Sequence, residues 1–265
     1  MHYLVPIVIF IFGAVIGSFL NVCIYRIPRS KSIVKPNSFC PNCEKPIKFY
    51  DNIPIISYIV LGGKCRHCNA KISKRYPLIE LLTAILFFYF YRHVGPSFEL
   101  FIMWFFIALL IVIAFIDYDF QIIHDILSIG GLVAGVLFAI VRPYFKYLDP
   151  KFGFLDAIYG VLIGGGILFI IAYGYQLITK REGMGGGDIK LLAMIGAFIG
   201  LKGVIFSLVS GSLFGTIVGI PLMLIKKENT KYAIPFGPFL SLGALIYIFE
   251  GDVLIRFVMD VITRR

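Results

Sequence analysis

Long apolar segments alternate with polar turns along most of this chain. The first apolar segment covers residues 4–25 and is followed by a polar insertion at 26–77. Seven more apolar segments follow, at 78–91, 98–116, 122–141, 154–178, 189–200, 204–225 and 234–249. A helix needs about 20 residues to cross about 30 Å of hydrocarbon, and several segments are near that length. The pattern predicts an all-α polytopic membrane protein with about eight transmembrane helices.

Composition supports this class. The chain is 59% hydrophobic and 15% charged, with a mean hydropathy of +0.90. A soluble domain could not cover that much apolar surface, so membrane lipid is the expected surrounding. The formal net charge of +10 would suggest nucleic acid in a soluble protein. Here most basic residues lie in loops, where they indicate topology, and no nucleic-acid partner is expected.

The insertion at 26–77 is the most basic loop in the sequence and sets the predicted topology. The positive-inside rule places it in the cytoplasm, and alternation then puts Asp117 and the turns at 180–190 and 226–231 on the same side. Residues 1–25 read as a transmembrane helix with an outside N-terminus, because the positive charges follow the apolar segment. The amphipathic tail at 253–265 is compatible with a position along the membrane surface. We expect a multi-pass protein of the inner (plasma) membrane.

Four of the five cysteines form two C-x-x-C pairs in the insertion, Cys40 with Cys43 and Cys65 with Cys68. Two such pairs can close a tetrahedral zinc site of the zinc-ribbon kind. Because four thiolates leave no open position, the metal would be structural. A disulfide pairing is the alternative, and Cys23 reads as a packing residue. The predicted organisation is a first transmembrane helix at 1–25, a cytoplasmic zinc-binding loop domain with four cysteine ligands at 26–77 and a transmembrane domain at 78–265.

Two aspartates end or begin apolar segments at the predicted cytoplasmic side. Asp117 ends one segment, and Asp188 follows the glycines of the stretch GMGGGDIK. Ionisable groups at membrane depth are costly and usually functional. Two carboxylates that share a proton can hydrolyse a peptide bond, with one as base and the other as acid. From spacing alone, Asp117 is as good a candidate for the second catalytic aspartate as Asp119 and Asp125 taken together.

Several motifs then match a known family, in the same order along the chain. They are GSFLNVCIYRIPR at 17–29, the two C-x-x-C pairs, DNIPIISYI at 51–59, SKRYPLIE at 73–80, IDYDFQIIHD at 116–125, GMGGGDIKLLAMIGA at 183–197 and IPFGPFL at 234–240. The chain resembles the bacterial type IV prepilin peptidases, which are GxGD-class aspartic endopeptidases of pilus and type II secretion systems. One departure is His124, which stands where the family usually has proline.

The resemblance implies a function and a set of site residues. It makes Asp117 and Asp188 the catalytic pair, and Gly185 and Gly187 the glycines of the GxGD loop. The expected reaction is cleavage of the leader of type IV prepilins or pseudopilins at the cytoplasmic face. Methylation of the new N-terminus with S-adenosylmethionine is expected to follow. Gly63 and Glu80 match family positions for substrate binding or methyl transfer.

Two alternatives remain at the level of sequence. The first is a peptidase that lacks methyltransferase activity, with the cysteine loop serving only to position substrate. The second is a proton-coupled transporter with a zinc-ribbon docking loop, because buried acidic residues also serve as proton relays. Against the transporter, the sequence lacks the paired broken-helix repeat that transporters often carry.

Overall fold

The computed structural model of this chain describes residues 4–141, 153–180, 185–226 and 234–263. The predicted turn residues 181–184 and 227–231 lie outside the described residues. The chain forms two compact units, Met1–Val112 and Ile113–Arg265. Each unit is described by itself below. The predicted division at residues 25 and 77 stays a prediction.

Helices account for nearly all regular structure in the described residues. The α-helices in chain order are α1 Leu4–Arg26, α2 Ile56–Val60, α3 Arg75–Val94, α4 Phe98–Phe120, α5 Asp125–Val141, α6 Phe154–Thr179, α7 Gly186–Lys226 and α8 Gly237–Thr263, and two short 3-10 helices cover Ile27–Arg29 and Phe49–Asn52. No strand occurs in the described ranges, where only two isolated β-bridges form, Phe39 with Pro46 and Lys64 with Lys71. The predicted all-α class is confirmed.

Every predicted apolar segment is helical over most of its length. Five helices are long and apolar enough to cross a membrane, while α5 and Gly237–Gly251 are shorter apolar helices. The predicted segments 189–200 and 204–225 both lie in α7, which is interrupted at Gly200 by a positive φ of 69°. The tail from residue 253 is not a separate segment, since α8 continues without a break to Thr263. The chain is a multi-pass membrane protein.

In the first unit, α1 packs closely on α3 through small residues. A Cβ atom on Gly13 would lie 2.7 Å from the Ala84 Cα, and one on Gly17 would lie 2.6 Å from the Glu80 Cα. The Asn21 amide donates hydrogen bonds to the carbonyl oxygens of Gly17 and Tyr76, both at 3.2 Å. Small residues let membrane helices approach in this way, and the polar bonds add to the contact.

In the second unit, α7 packs against α5, α6 and α8. A Cβ atom on Gly160 would lie 2.5 Å from the Gly196 carbonyl oxygen, and one on Gly164 would lie 2.8 Å from the Leu192 carbonyl oxygen. The contact between α6 and α7 is therefore a contact of backbones. The glycines of α6 at 160 and 164 thus serve helix packing.

Candidate active site and cysteine cluster

Asp117 lies in the last turn of α4 and is buried, with 5% of its surface exposed. Its Oδ2 atom accepts a hydrogen bond of 2.9 Å from the backbone N–H of Gly237, the first residue of α8. A Cβ atom on Gly237 would lie only 2.7 Å from the same oxygen. The start of α8 therefore fixes the position of the Asp117 carboxylate and requires a residue without a side chain.

The turn after α4 separates Asp117 from Asp125, whereas Asp119 lies in α4, two residues beyond Asp117. Gln121 adopts a positive φ of 54°, and its N–H bonds to the Asp117 carbonyl oxygen at 2.8 Å, which ends α4. Asp119 is exposed. Asp125 begins α5, is largely exposed and pairs with Lys190 at 2.6 Å. Of the three aspartates, only Asp117 is withdrawn from solvent.

Asp188 lies in the first turn of α7, which begins at Gly186. A Cβ atom on Gly187 would lie 2.8 Å from the Ile123 Cβ, whereas one on Gly186 would meet nothing within 4 Å. The start of α7 thus packs against the turn between α4 and α5, and the ion pair of Lys190 with Asp125 joins the same two segments. Gly187 is needed for this close approach.

The structure brings the two carboxylates together at one end of the second unit. Asp117 and Asp188 are close enough for their charges to interact. They come from the C-terminal end of one helix and the N-terminal end of another, and the N-terminus of α8 completes the site. Two carboxylates in such an arrangement can divide the tasks of base and acid in hydrolysis.

Gly237 is the site residue that the sequence reasoning missed. It lies in the motif IPFGPFL, whose role the sequence did not assign. Pro238 follows it in the first turn of α8, where a missing N–H costs no helical hydrogen bond. The N–H of Gly237 has no partner within the helix, so it is available to the carboxylate. A Gly-Pro pair before an apolar segment is the signal that could have indicated a helix start near a functional group.

The four cysteines of the two pairs form one cluster in the first unit. Their Sγ atoms all lie within 4.8 Å of one another, with Cys40 and Cys68 3.9 Å apart. All four are free thiols and not disulfides. A tetrahedral site with zinc–sulfur bonds of about 2.3 Å places its sulfur atoms about 3.8 Å apart. The cluster is therefore compatible with zinc.

The two pairs repeat the same backbone structure. The N–H of Cys40 bonds to the Lys45 carbonyl oxygen, and the N–H of Cys65 bonds to that of Ala70. In each pair the residue after the second cysteine has a positive φ, 57° at Glu44 and 54° at Asn69. The isolated β-bridges close both turns. Two matching turns that face each other are typical of a zinc ribbon.

Local hydrogen bonds favour the thiolate form of the second pair. The backbone N–H of Ala70 and the Asn42 side chain lower the pKa of Cys68 to about 6. The backbone N–H groups of Cys68 and His67 lower the pKa of Cys65. The Lys45 N–H lowers the pKa of Cys43, but removal from water and the neighbouring thiols raise it to about 11. Because a metal binds thiolates, these hydrogen bonds prepare the second pair for a metal.

Gly63 and Glu80 both support the conformation of the loop. Gly63 has a positive φ of 67°, and a Cβ atom there would lie 2.9 Å from the Tyr58 hydroxyl oxygen. The buried Glu80 accepts the N–H of Ile55 on its Oε2 atom at 2.7 Å. These contacts explain why a glycine and a carboxylate suit the two positions. Their role in substrate binding or methyl transfer stays a prediction.

Comparison with known proteins covers most of the chain. Residues 11–94 match the bacterial peptidase A24 N-terminal domain, and residues 104–220 match the type IV leader peptidase family. No solved structure matches.

Three relatives carry the same name, prepilin leader peptidase/N-methyltransferase. The protein of Aeromonas salmonicida is 34% identical over 283 residues, which are 96% of this chain and 94% of the relative. That of Pseudomonas aeruginosa is 35% identical over 267 residues, 92% and 90% of the two chains. That of Myxococcus xanthus is 38% identical over 234 residues, which are 86% of this chain and 68% of the relative. Because the similarity is this extensive, the chain belongs to the type IV leader peptidase family.

Proposed function

We propose that this chain is a membrane aspartic endopeptidase that removes the leader of type IV prepilins or pseudopilins and methylates the new N-terminus. The observation that carries the proposal is the pairing of Asp117 and Asp188, on separate helix ends, in a chain of this family. The names of the relatives supply the substrate class and the second activity.

The proposed cleavage uses the two aspartates as one unit. The ionised carboxylate takes a proton from water, and the resulting hydroxide adds to the scissile carbonyl carbon. The protonated carboxyl donates its proton to the carbonyl oxygen. When the tetrahedral intermediate collapses, the carbon–nitrogen bond breaks. The carboxyl that took the proton from water gives it to the leaving amine, and the other carboxylate takes a hydroxyl proton back from the intermediate. We assign the pair jointly, because coupled carboxylates titrate together.

The glycines before Asp188 give a substrate strand access to this pair. Gly185 and Gly186 are exposed. A Cβ atom on Gly186 would meet nothing within 4 Å, and one on Gly185 would lie 3.9 Å from the Asp188 Oδ2 atom, which is ordinary contact. A peptide backbone can therefore approach the start of α7 closely. Asp188 is half-buried, so a substrate can reach its carboxylate. The Asp117 carboxylate is held in place by the hydrogen bond from the Gly237 N–H. We propose Gly185 and Gly187 as the two glycines of a GxGD loop.

The cysteine cluster is proposed as a structural zinc site. Cys40, Cys43, Cys65 and Cys68 would hold the metal, which would cross-link the two turns without an open coordination position. We propose S-adenosylmethionine as the donor in the methyl-transfer reaction. We propose that the loop at 26–77 serves methyl transfer and faces the cytoplasm, as its positive charge indicates.

The alternative without methyltransferase activity is less well supported, because the relatives carry both activities in their name. The transporter alternative is not favoured for the same reason. The two peptidase hypotheses differ only in whether cleaved pilin gains a methyl group, so one experiment can address both.

The test is mass spectrometry of a synthetic prepilin after incubation with the purified full chain, detergent and S-adenosylmethionine. Asp117→Asn and Asp188→Asn are expected to abolish cleavage, since either change removes half of the acid–base pair. Asp119→Asn is the matched control, because Asp119 is exposed two residues beyond Asp117, and it is expected to cleave normally. Normal cleavage by either catalytic variant would refute the site. Mature pilin without added methyl mass would refute the methyltransferase.

A further inference from the structure

An apolar surface is exposed on α2, in the middle of the basic insertion. The exposed fractions are 58% for Ile56, 70% for Ile59 and 72% for Val60. Three large aliphatic side chains on a helix of five residues form a contiguous patch. Such a patch in a polar loop usually marks an interaction surface.

The polar groups of this segment are turned toward its own loop. The Ser57 hydroxyl donates to the Tyr50 carbonyl oxygen at 3.0 Å and accepts the N–H of Ile53 at 2.9 Å. Ser57 is the buried residue of α2. The helix is therefore amphipathic despite its length, with one face fixed to the loop and the aliphatic face exposed.

The depth of α2 is set by a contact with a membrane-spanning helix. Ile55, the residue before α2, donates its N–H to the Glu80 carboxylate at 2.7 Å. Glu80 lies five residues beyond the start of α3 at Arg75, which is about 7–8 Å along the helix axis. Because α3 is apolar and long enough to span, this contact ties the start of α2 to a residue within a spanning helix.

The packing of α1 also places Glu80 away from a helix end. Gly17 packs directly on the Glu80 Cα and precedes Arg26, the end of α1, by nine residues. That separation is about 13 Å of helix. Glu80, whose carboxylate binds Ile55, thus lies level with the interior of both helices rather than with their ends.

The backbone before α2 is bent to reach this position. Ile55 has φ 63° and ψ −51°, a conformation that is costly for a β-branched residue. The Ile56 N–H bonds to the Pro54 carbonyl oxygen at 2.6 Å and closes a γ-turn. The bond from Ile55 to Glu80 compensates part of this cost. A strained turn held by a buried carboxylate indicates that the placement of α2 matters.

We propose that α2 is an interfacial helix whose aliphatic face lies in the lipid bilayer, at the boundary of headgroups and acyl chains. Leu78 and Leu81, on either side of Glu80 in the sequence of α3, are also exposed apolar residues, as expected for a spanning helix in lipid. The exposed basic residues Lys48 and Lys64 flank the segment and complement anionic headgroups. Interfacial helices bury their apolar face about 5–10 Å into this boundary.

The second pair of cysteines follows α2 directly, so the bilayer also positions the cluster. The Gly63 N–H bonds to the Tyr58 carbonyl oxygen, and the Gly63 carbonyl oxygen accepts the Ile72 N–H. These bonds join α2 to the segment that contains Cys65 and Cys68. An embedded α2 therefore holds this half of the cluster at the membrane surface.

The test uses tryptophan as a depth probe in the full chain. The only native tryptophan, Trp104, is first replaced by Trp104→Phe, which keeps the ring stacked on Phe87. Ile59→Trp and the control Val34→Trp are then made separately and reconstituted in vesicles of phosphatidylcholine and phosphatidylglycerol. Val34 is 74% exposed and lies between Ser32 and Pro36, whose carbonyl oxygens bind the Arg26 guanidinium at the end of α1.

The expected result is blue-shifted emission from Ile59→Trp, with at least a roughly twofold loss of intensity when the lipids are brominated near the headgroup end of the acyl chain. Val34→Trp should emit as a water-exposed residue and be quenched little. Equal, weak quenching of both probes would overturn the proposal. A blue shift at residue 59 that appears only after a prepilin peptide is added would also overturn it, in favour of a protein partner.

A second measurement avoids substitution altogether. A lipid with a photoactivatable group on its acyl chain is cross-linked to the unsubstituted chain in the same vesicles, and the adducts are mapped by mass spectrometry. Adducts on the peptide that contains 56–60 are expected, in addition to those on α1 and α3. Adducts restricted to the spanning helices would contradict an embedded α2.

Discussion

Gly237 limits where the Asp117 carboxylate can lie, which leads to a prediction at the scale of one residue. A methyl group at this position would lie 2.7 Å from the Asp117 Oδ2 atom, so the carboxylate has to move. A displacement of about 1 Å at a catalytic group can cost about 100-fold in rate. Gly237→Ala is therefore expected to lower kcat for prepilin cleavage by about 100-fold, with little change in KM, as measured on a synthetic prepilin in detergent.

The matched control for this variant is Gly215→Ala in α7. A methyl group there would lie 3.5 Å from the nearest atom of the Phe239 ring, which is ordinary contact. This control should cleave at the normal rate and unfold at the normal temperature. If Gly237→Ala also cleaved normally, the start of α8 would have no part in positioning Asp117.

The sequence indicated the two aspartates but not the contact that Gly237 makes with one of them. Ionisable groups stand out in apolar segments, so Asp117 and Asp188 are visible as candidates without a structure. The function of Gly237 depends on a contact with a residue 120 positions away, which no local pattern encodes. His124 is the opposite case, because the sequence shows a departure from the family's proline while the backbone contact at this position does not depend on the side chain. Its carbonyl oxygen accepts the N–H groups of Leu127 and Ser128 at the start of α5, and a proline would offer the same acceptor.

At the scale of helices, the close contact of α6 with α7 predicts which glycine substitutions destabilise the second unit. A methyl group on Gly196 would overlap the carbonyl group of Gly160 and lie 2.9 Å from the Val161 nitrogen. Backbone atoms cannot move aside as a side chain can, and such overpacking typically costs about 1–3 kcal/mol. Gly196→Ala is expected to lower the thermal unfolding temperature of the purified protein in detergent.

Gly166→Ala in α6 serves as its control, because a methyl group there would meet nothing within 4 Å. Alanine favours a helix over glycine by up to about 1 kcal/mol, so this variant should unfold at the same or a slightly higher temperature. Equal destabilisation by the two changes would show that the contact of α6 with α7 does not depend on the missing Cβ atoms.

Hydropathy predicted the existence of the spanning helices but not all of their limits. The residues at 122–124 belong to the turn before α5, since Gln121 leaves the helical conformation. The break at Gly200 and the unbroken course of α8 likewise depend on backbone conformation rather than on polarity. The short α2 escaped prediction because its position is held by Glu80, from a helix that follows it in the chain. Tertiary contacts of this kind override local pattern.

At the scale of the whole molecule, the cysteine cluster and the two aspartates belong to different compact units. If the first supports methyl transfer and the second performs cleavage, single substitutions should separate the activities. Asp188→Asn is expected to cleave nothing, yet to methylate a synthetic peptide that already has the mature N-terminus. Cys65→Ser is expected to lose methylation and its zinc, about one ion per chain, while cleavage stays within a few-fold of normal.

Cys23→Ala provides the control for the cysteine variant, because Cys23 is buried in α1 and is not part of the cluster. It should keep zinc, methylation and cleavage. Metal content is measured by elemental analysis of the purified chain, and both reactions are followed by mass spectrometry in one assay. A Cys65→Ser protein with normal helix content that lost both activities would show that cleavage depends on the folded loop. In that case the loop would present the prepilin to the aspartates as well as support its methylation.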